Sequence, residues 1–385
     1  MDAVPISRLD ELHAHLEELG REPDTPIDAR LLDEIELQLT ESNIPPLLPT
    51  VLVPLTRILR TTTAPDPEPL LSLTTRLLAP LALGRVLALA DAPSVAAALR
   101  SPLPGANRLA LAIRCKAARA PADAALLSTL PELVAALVAR WLDAPDVGVG
   151  ERAGLVLGDV LETDCDVVVA ALPDDRAGDP HPPAGTNGAD GTELVVRQHR
   201  HRRRRVPGHG RVWNLIFGSE QIFATIPHLC GSPASPPSSS SSFFSESGGA
   251  VPTARQVSLA QGRLLRLLPR LATLNMSAVS RTAFPHLVPL PQTVARAAGH
   301  GLLQWAALAM VDKSDVLMHL SLIDFFETHV SIMRITDGAA DLTRSLVRAA
   351  TANDEQLKAS LRELPDRTVE EEAEPLRVYI QQLLN

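Results

Sequence analysis

From Ile6 the apolar positions fall at Ile6, Leu9, Leu12, Leu16 and Leu19, with Ser7 placed to cap a first turn and Gly20 to stop the last. Steps of three and four put these side chains on one face of a helix. The same spacing recurs over 27–39, 46–59, 69–90, 103–118, 122–130, 132–142, 150–161, 213–229, 257–274, 294–311, 316–335, 339–349 and 369–384. Each stretch is about one helix long, and Pro46, Pro69, Pro93, Pro121 and Pro131 sit near first turns, where a missing N–H costs nothing.

Helices of this length joined by short turns are the unit of an α-solenoid, in which each repeat buries its apolar face against its neighbours. The expected fold is all-α: a curved α-solenoid of HEAT- or armadillo-like helix pairs, the alternative being a globular helical bundle held by long-range helix contacts. Two segments interrupt the pattern. Residues 173–210 are rich in Gly, Pro, Asp and Arg, and 231–254 contain the string SPASPPSSSSS. Neither has the apolar content to offset the entropy of ordering, so both are expected to be disordered insertions. The organisation that follows is N-terminal helical repeats over 1–172, the first insertion, a helical segment at 211–230, the Ser/Pro-rich loop, and C-terminal repeats over 255–385.

Composition agrees with the pattern. Hydrophobic residues make up 45% of the 385 but aromatics only 3%, so Leu, Ala and Val carry the core, and an all-β fold is excluded. No window of eighteen apolar residues is free of charge, so no membrane span is expected. Acidic residues near the start (Asp2, Asp10, Glu11) do not read as a secretory signal, and three isolated cysteines suit a reducing compartment, cytosol or nucleus. The net charge is −9; the stretch 197–211 holds seven Arg and no acid, which leaves −16 on the rest. An acidic helical body repels nucleic-acid backbone and suits a basic protein partner.

No catalytic signature is present: no GxSxG, no HExxH, no GxxxxGK. Gly148, Gly150 and Gly154 miss the dinucleotide spacing by one residue and follow no strand, and the eleven His do not pair with Cys at ligand spacing. The chain therefore reads as a non-enzyme without metal or cofactor. The run His199 to Arg205 has the composition of an import signal or a solvated loop, and the sequon at Asn275 needs a secretory route to matter. Trp213, Phe217, Trp305, Phe325 and Phe326 lie on apolar helices and are expected in the core.

Four strings, in this order, resemble one family: SPLPGANRLALAIRCKAARAPADAALLS (101–128), DVGVGERAGLVLGDVLETDC (146–165), GHGRVWNLIFGSEQIFATIPHLCG (208–231) and MVDKSDVLMHLSLIDFFE (310–327). They are similar to the proteasome non-ATPase regulatory subunit 5 family of base assembly chaperones, whose fungal branch is often labelled a DNA mismatch repair protein. The resemblance implies a HEAT-like solenoid that holds a proteasome base AAA ATPase subunit by its C-terminal helical domain and leaves before the mature particle forms. The alternative it raises is a nuclear solenoid adaptor, with a role in mismatch repair. On the first reading the chain is a monomer until it meets its partner. The residues expected to face that partner are Asp159 and Glu162 on one helix, and Asp312, Asp315, His319 and Asp324 near the C-terminal end, with 312, 315 and 319 at helical spacing.

Overall fold

Proline fixes the start of five helices, sitting in the first turn of α5 (Glu68–Leu78), α7 (Ala92–Arg100), α8 (Pro104–Cys115), α9 (Pro121–Ser128) and α10 (Pro131–Asp143). Ahead of them come α1 (Leu9–Arg21), α2 (Ala29–Gln38) and α3 (Ile44–Leu47), which runs through a π turn into α4 (Val53–Thr61). The short α6 (Leu83–Leu89) lies between α5 and α7, and α11 (Val147–Asp164) follows α10. The structure is a computed structural model that describes residues 6–22, 24–61, 67–167, 207–231, 252–336 and 339–385. Among these every regular element is helical, the sole β pairing being the isolated bridge between Arg281 and His300.

Two compact units share the chain: Met1–Arg140 with Ala144–Val160, and Trp141–Asp143 with Leu161–Asn385. In the first, α1 packs on α4, α2 on α5 and α5 on α8, so each helix meets one three places along. That is the local stacking of a helical repeat array. Leu12, Leu16, Leu31, Leu32, Ile35 and Leu55 are buried in its core. The second unit continues with α12 (Arg211–Gly218), α13 (Glu220–Cys230), α14 (Ala254–Ser280), α15 (Gln292–Ala298), α16 (Leu302–Trp305), α17 (Val316–Met333), α18 (Ala340–Thr351), α19 (Glu355–Glu363) and α20 (Glu370–Leu384). Its long helix α14 takes α13 and α17 against its sides, and α18 packs on α20. Trp213, Trp305, Phe325 and Phe326 are buried as expected, whereas Phe217 is only half-buried and stacks on Trp213 with ring centroids 5.4 Å apart.

Several expected helices prove to be two. The 69–90 stretch breaks after Leu78 because Pro80 cannot donate to the helix, and the carbonyls stranded there are taken by cations. Lys116 Nζ reaches Ala79 O at 3.0 Å and Leu81 O at 2.9 Å, and Arg119 also bonds Ala79 O. Burial, reinforced by the neighbouring Arg119, pushes the Lys116 ammonium down to about 8. The 294–311 stretch breaks at Gly299, whose φ of 92° only glycine adopts without strain. Helices α7 and α19 went unpredicted: α7 offers only Val95 and Leu99 as large apolar residues, and α19 buries only Leu357 and Leu361.

The expected insertions fall largely outside the described residues, at 173–206 and 232–251. Their edges do not. Thr253 caps α14 in a reciprocal box with Gln256, and 207–210 are seated against the end of α11. Helix α17 is long and apolar enough by composition to cross a membrane, with a mean hydropathy of 1.2, yet half of it is buried within the fold and it carries Asp324 and Glu327.

Candidate partner-binding surface

Asp315 starts α17. Its carboxylate accepts the N–H groups of Leu317 and Met318 at 3.0 and 3.3 Å, offsetting donors that a helix start leaves free. The helix begins at Val316, so Asp312 is not on it: it folds into a tight turn, accepting Ser314 N–H at 2.9 Å and Ser314 Oγ–H at 2.8 Å. Those two bonds hold the Asp312 carboxyl below its ordinary value. The expected one-face spacing of 312, 315 and 319 is therefore corrected: 312 is a turn residue, 315 a cap, and only 319 is helical.

His319 turns inward. Its Nε2 lies 2.9 Å from Asp354 Oδ2, and Lys313 Nζ reaches the same oxygen at 2.8 Å. With that carboxylate ionised, the bond needs its proton on His319 Nε2. Asp354 Oδ1 meanwhile accepts Leu357 N–H at 2.9 Å and so caps α19. Burial works to raise the Asp354 carboxyl, but the bonds from Lys313, the Leu357 amide and His319 outweigh it, and the net shift is downward. Sequence reasoning missed Asp354 and Lys313. An Asp three residues before Leu357 at a helix start was the signal available for the first; nothing local marked the second.

What remains outward is apolar as well as acidic. Val316 and Leu317 are 69% and 75% exposed and Leu320 is 48% exposed. Leu317, Leu320 and Asp324 are spaced three and four apart, so they share one stripe of α17, and Asp324 is exposed at its far end. Three carboxylates thus flank an uncovered aliphatic stripe.

The other expected pair lies elsewhere. Asp159 is half-buried on α11 in the first unit. Glu162 belongs to the second unit, where it binds Arg270 of α14 at 2.8 Å with its side chain only 7% exposed. It is part of a buried ion pair rather than a free surface charge.

Beside it is the feature that sequence reading overlooked. Asp164, fully buried, accepts the N–H groups of Val212 at 2.6 Å and Trp213 at 3.2 Å, capping α12 from the end of α11. Gly208 N–H bonds Cys165 O and Gly210 N–H bonds Asp164 O, at 2.8 and 2.7 Å. A Cβ on Gly208 would stand 2.2 Å from the Asp164 carbonyl carbon, so this clasp requires glycine. Cys165 Sγ donates to Leu274 O at 3.1 Å, next to Asn275, the residue that leaves helical geometry and kinks α14. The sequon asparagine is thus a kink residue, its Oδ1 capping the final turn through Ala278 N–H.

Among the described residues no group of three or more His, Cys, Asp or Glu is placed to hold a metal ion. No protein-family model matches the chain, and no curated protein matches it.

Proposed function

We propose that the chain is an assembly chaperone that holds a proteasome base AAA ATPase subunit, by its C-terminal helical domain, while the regulatory particle is being built. It acts in the cytoplasm and nucleus and is a monomer until the subunit binds. The observation that carries this reading is the start of α17: Val316, Leu317 and Leu320 uncovered beside Asp312, Asp315 and Asp324. A basic amphipathic helix laid there would bury its apolar face on the aliphatic stripe and place its cations against the carboxylates. The four strings similar to the chaperone family supply the choice of partner.

The test is capture of purified ATPase C-terminal domains by the full chain. Leu317→Glu with Leu320→Glu is expected to weaken capture by at least tenfold, about 1.4 kcal/mol or more. Asp312→Lys with Asp324→Lys weakens it too, by more at low salt than at high. Asp315→Asn retains the helix cap and isolates the charge. Capture unchanged in both double variants rules out this surface. A wild-type chain that takes no proteasome subunit from extract but retains DNA replaces the chaperone with the nuclear adaptor.

A further inference from the structure

In the first unit, α4, α5, α6, α7 and α8 do not close on one another. They leave a half-open cavity of about 420 Å3. Protein interiors ordinarily pack with few voids larger than a water molecule. The space has a cause in the sequence: Ala90, Ala97, Ala98, Ala106 and Ala110 line it where larger side chains would fill it. Leu52, Leu71 and Ile113 form buried parts of the wall, while Leu89 is 45% exposed.

The chemistry of the lining selects a class of occupant. Among the described residues no charged side chain lines the cavity, so a carboxylate or phosphate inside it would lose its hydration with nothing in return. Four hydroxyls of described residues line it. Thr56 Oγ1 donates to Val53 O, Thr74 Oγ1 to Leu70 O, and Ser101 Oγ accepts Leu103 N–H. Ser94 is exposed at the mouth, and the bond it makes among the described residues runs from its backbone N–H to Asp91, so its hydroxyl is available to an occupant. Water filling such a space would find too few partners to be held well. A cavity of roughly 150 Å3 lined by aliphatic groups stays dry and takes benzene, and by proportion this one holds a molecule of about seventeen non-hydrogen atoms.

We propose that this cavity is a binding site for a neutral, lipid-like molecule: an aliphatic body of that size ended by a single hydroxyl or carbonyl that bonds Ser94. The site lies in the first unit and involves no residue of the α17 surface, so it stands or falls independently of the proposed partner.

The experiment uses the full chain, N-phenyl-1-naphthylamine as an uncharged reporter of the size the cavity takes, and dodecanol as the probe ligand. Wild type is expected to enhance the reporter's emission with saturation at one equivalent, and dodecanol to displace it. Ala98→Leu and Ala110→Leu together fill the space and should reduce dodecanol affinity at least tenfold. Their thermal midpoint should stay at or above wild type, because filling a void adds contacts. Ser94→Ala keeps the volume and should cost roughly fivefold, the equivalent of one hydrogen bond. Should the filled variant misfold, Ala97→Val at the exposed edge of α7 is the milder replacement, read for the same loss. Dodecanol binding that is equal in wild type and filled protein overturns the proposal, as does saturable reporter uptake that dodecanol cannot displace. Absence of any saturable uptake by wild type overturns it as well and leaves the cavity to an apolar side chain of a protein partner.

Discussion

Asp164 and Asp354 do the same work in different surroundings. Both are buried in the second unit, and each accepts backbone N–H groups from the first turn of a helix, α12 in one case and α19 in the other. Yet their carboxyls move in opposite directions. Burial raises that of Asp164 above its ordinary value, and bonds from four backbone amides, led by those of Trp213 and Val212, do not cancel it. Asp354 faces a burial cost too, but Lys313 and His319 share its second oxygen and its carboxyl falls. The Val212 and Trp213 amides both go to Asp164 Oδ2 and leave Oδ1 buried without a partner, so helix-start amides hold a buried carboxylate without supplying the charge that offsets its desolvation; a cation has to do that.

The comparison can be broken at either aspartate. Asp164→Ala carries the larger effect. It strands the Val212 and Trp213 amides in a place water does not reach and loosens the clasp at 208–210, so a loss of about 3–4 kcal/mol in urea unfolding is expected. Asp354→Ala should lose less, about 2 kcal/mol, because Lys313 is partly exposed and water can take over its bond. Equal losses would mean that the two caps are equally dry.

The smallest effect sharpens the contrast most, since it has opposite signs. For Asp164 the folded-state carboxyl lies above the unfolded value, so its contribution is fully present in acid and declines as pH rises past 3.8 toward the raised value. For Asp354 the folded value lies below, so its contribution is present above 3.8 and is lost as pH falls through the depressed value. The cost of Asp164→Asn should shrink between pH 3 and pH 6, and that of Asp354→Asn should grow over the lower part of the same window. Unfolding titrations of both variants against wild type at each pH measure this, and parallel curves would remove the distinction.

Much of the architecture was legible because helices announce themselves locally. The steps of three and four that start at Leu9 and Leu12 recur in almost every helix found, and of the aromatic residues expected in the core all but the half-buried Phe217 are there. Breaks were harder. Pro80 and Gly299 could have been read as interruptions, but runs of Leu and Ala on both sides masked them. The candidate surface was legible only in composition: the acids near 312–324 are there, but which are caps, which turn inward and which face water depends on Lys313 and Asp354, 41 residues apart. Asp164 shows the same limit. It sits one residue from the end of a string quoted for its resemblance, while its partners lie 48 and 49 residues on. One signal did exist. Helix α12 starts after Gly210, which has no side chain to cap it, so a cap from elsewhere was required.

The glycine clasp has a consequence for how this gene can change. The chain leaves α11 and comes back to it through the Gly208–Cys165 and Gly210–Asp164 bonds, so both ends of the intervening segment are tethered at one spot on the second unit. The entropy of closing a flexible segment between two fixed ends grows only with the logarithm of its length, roughly 0.6 kcal/mol for each doubling. Between residues 167 and 207, then, the protein has a socket: evolution can lengthen, shorten or replace what is plugged in there at little thermodynamic expense, and an engineer can splice in a reporter domain whose own termini lie close together.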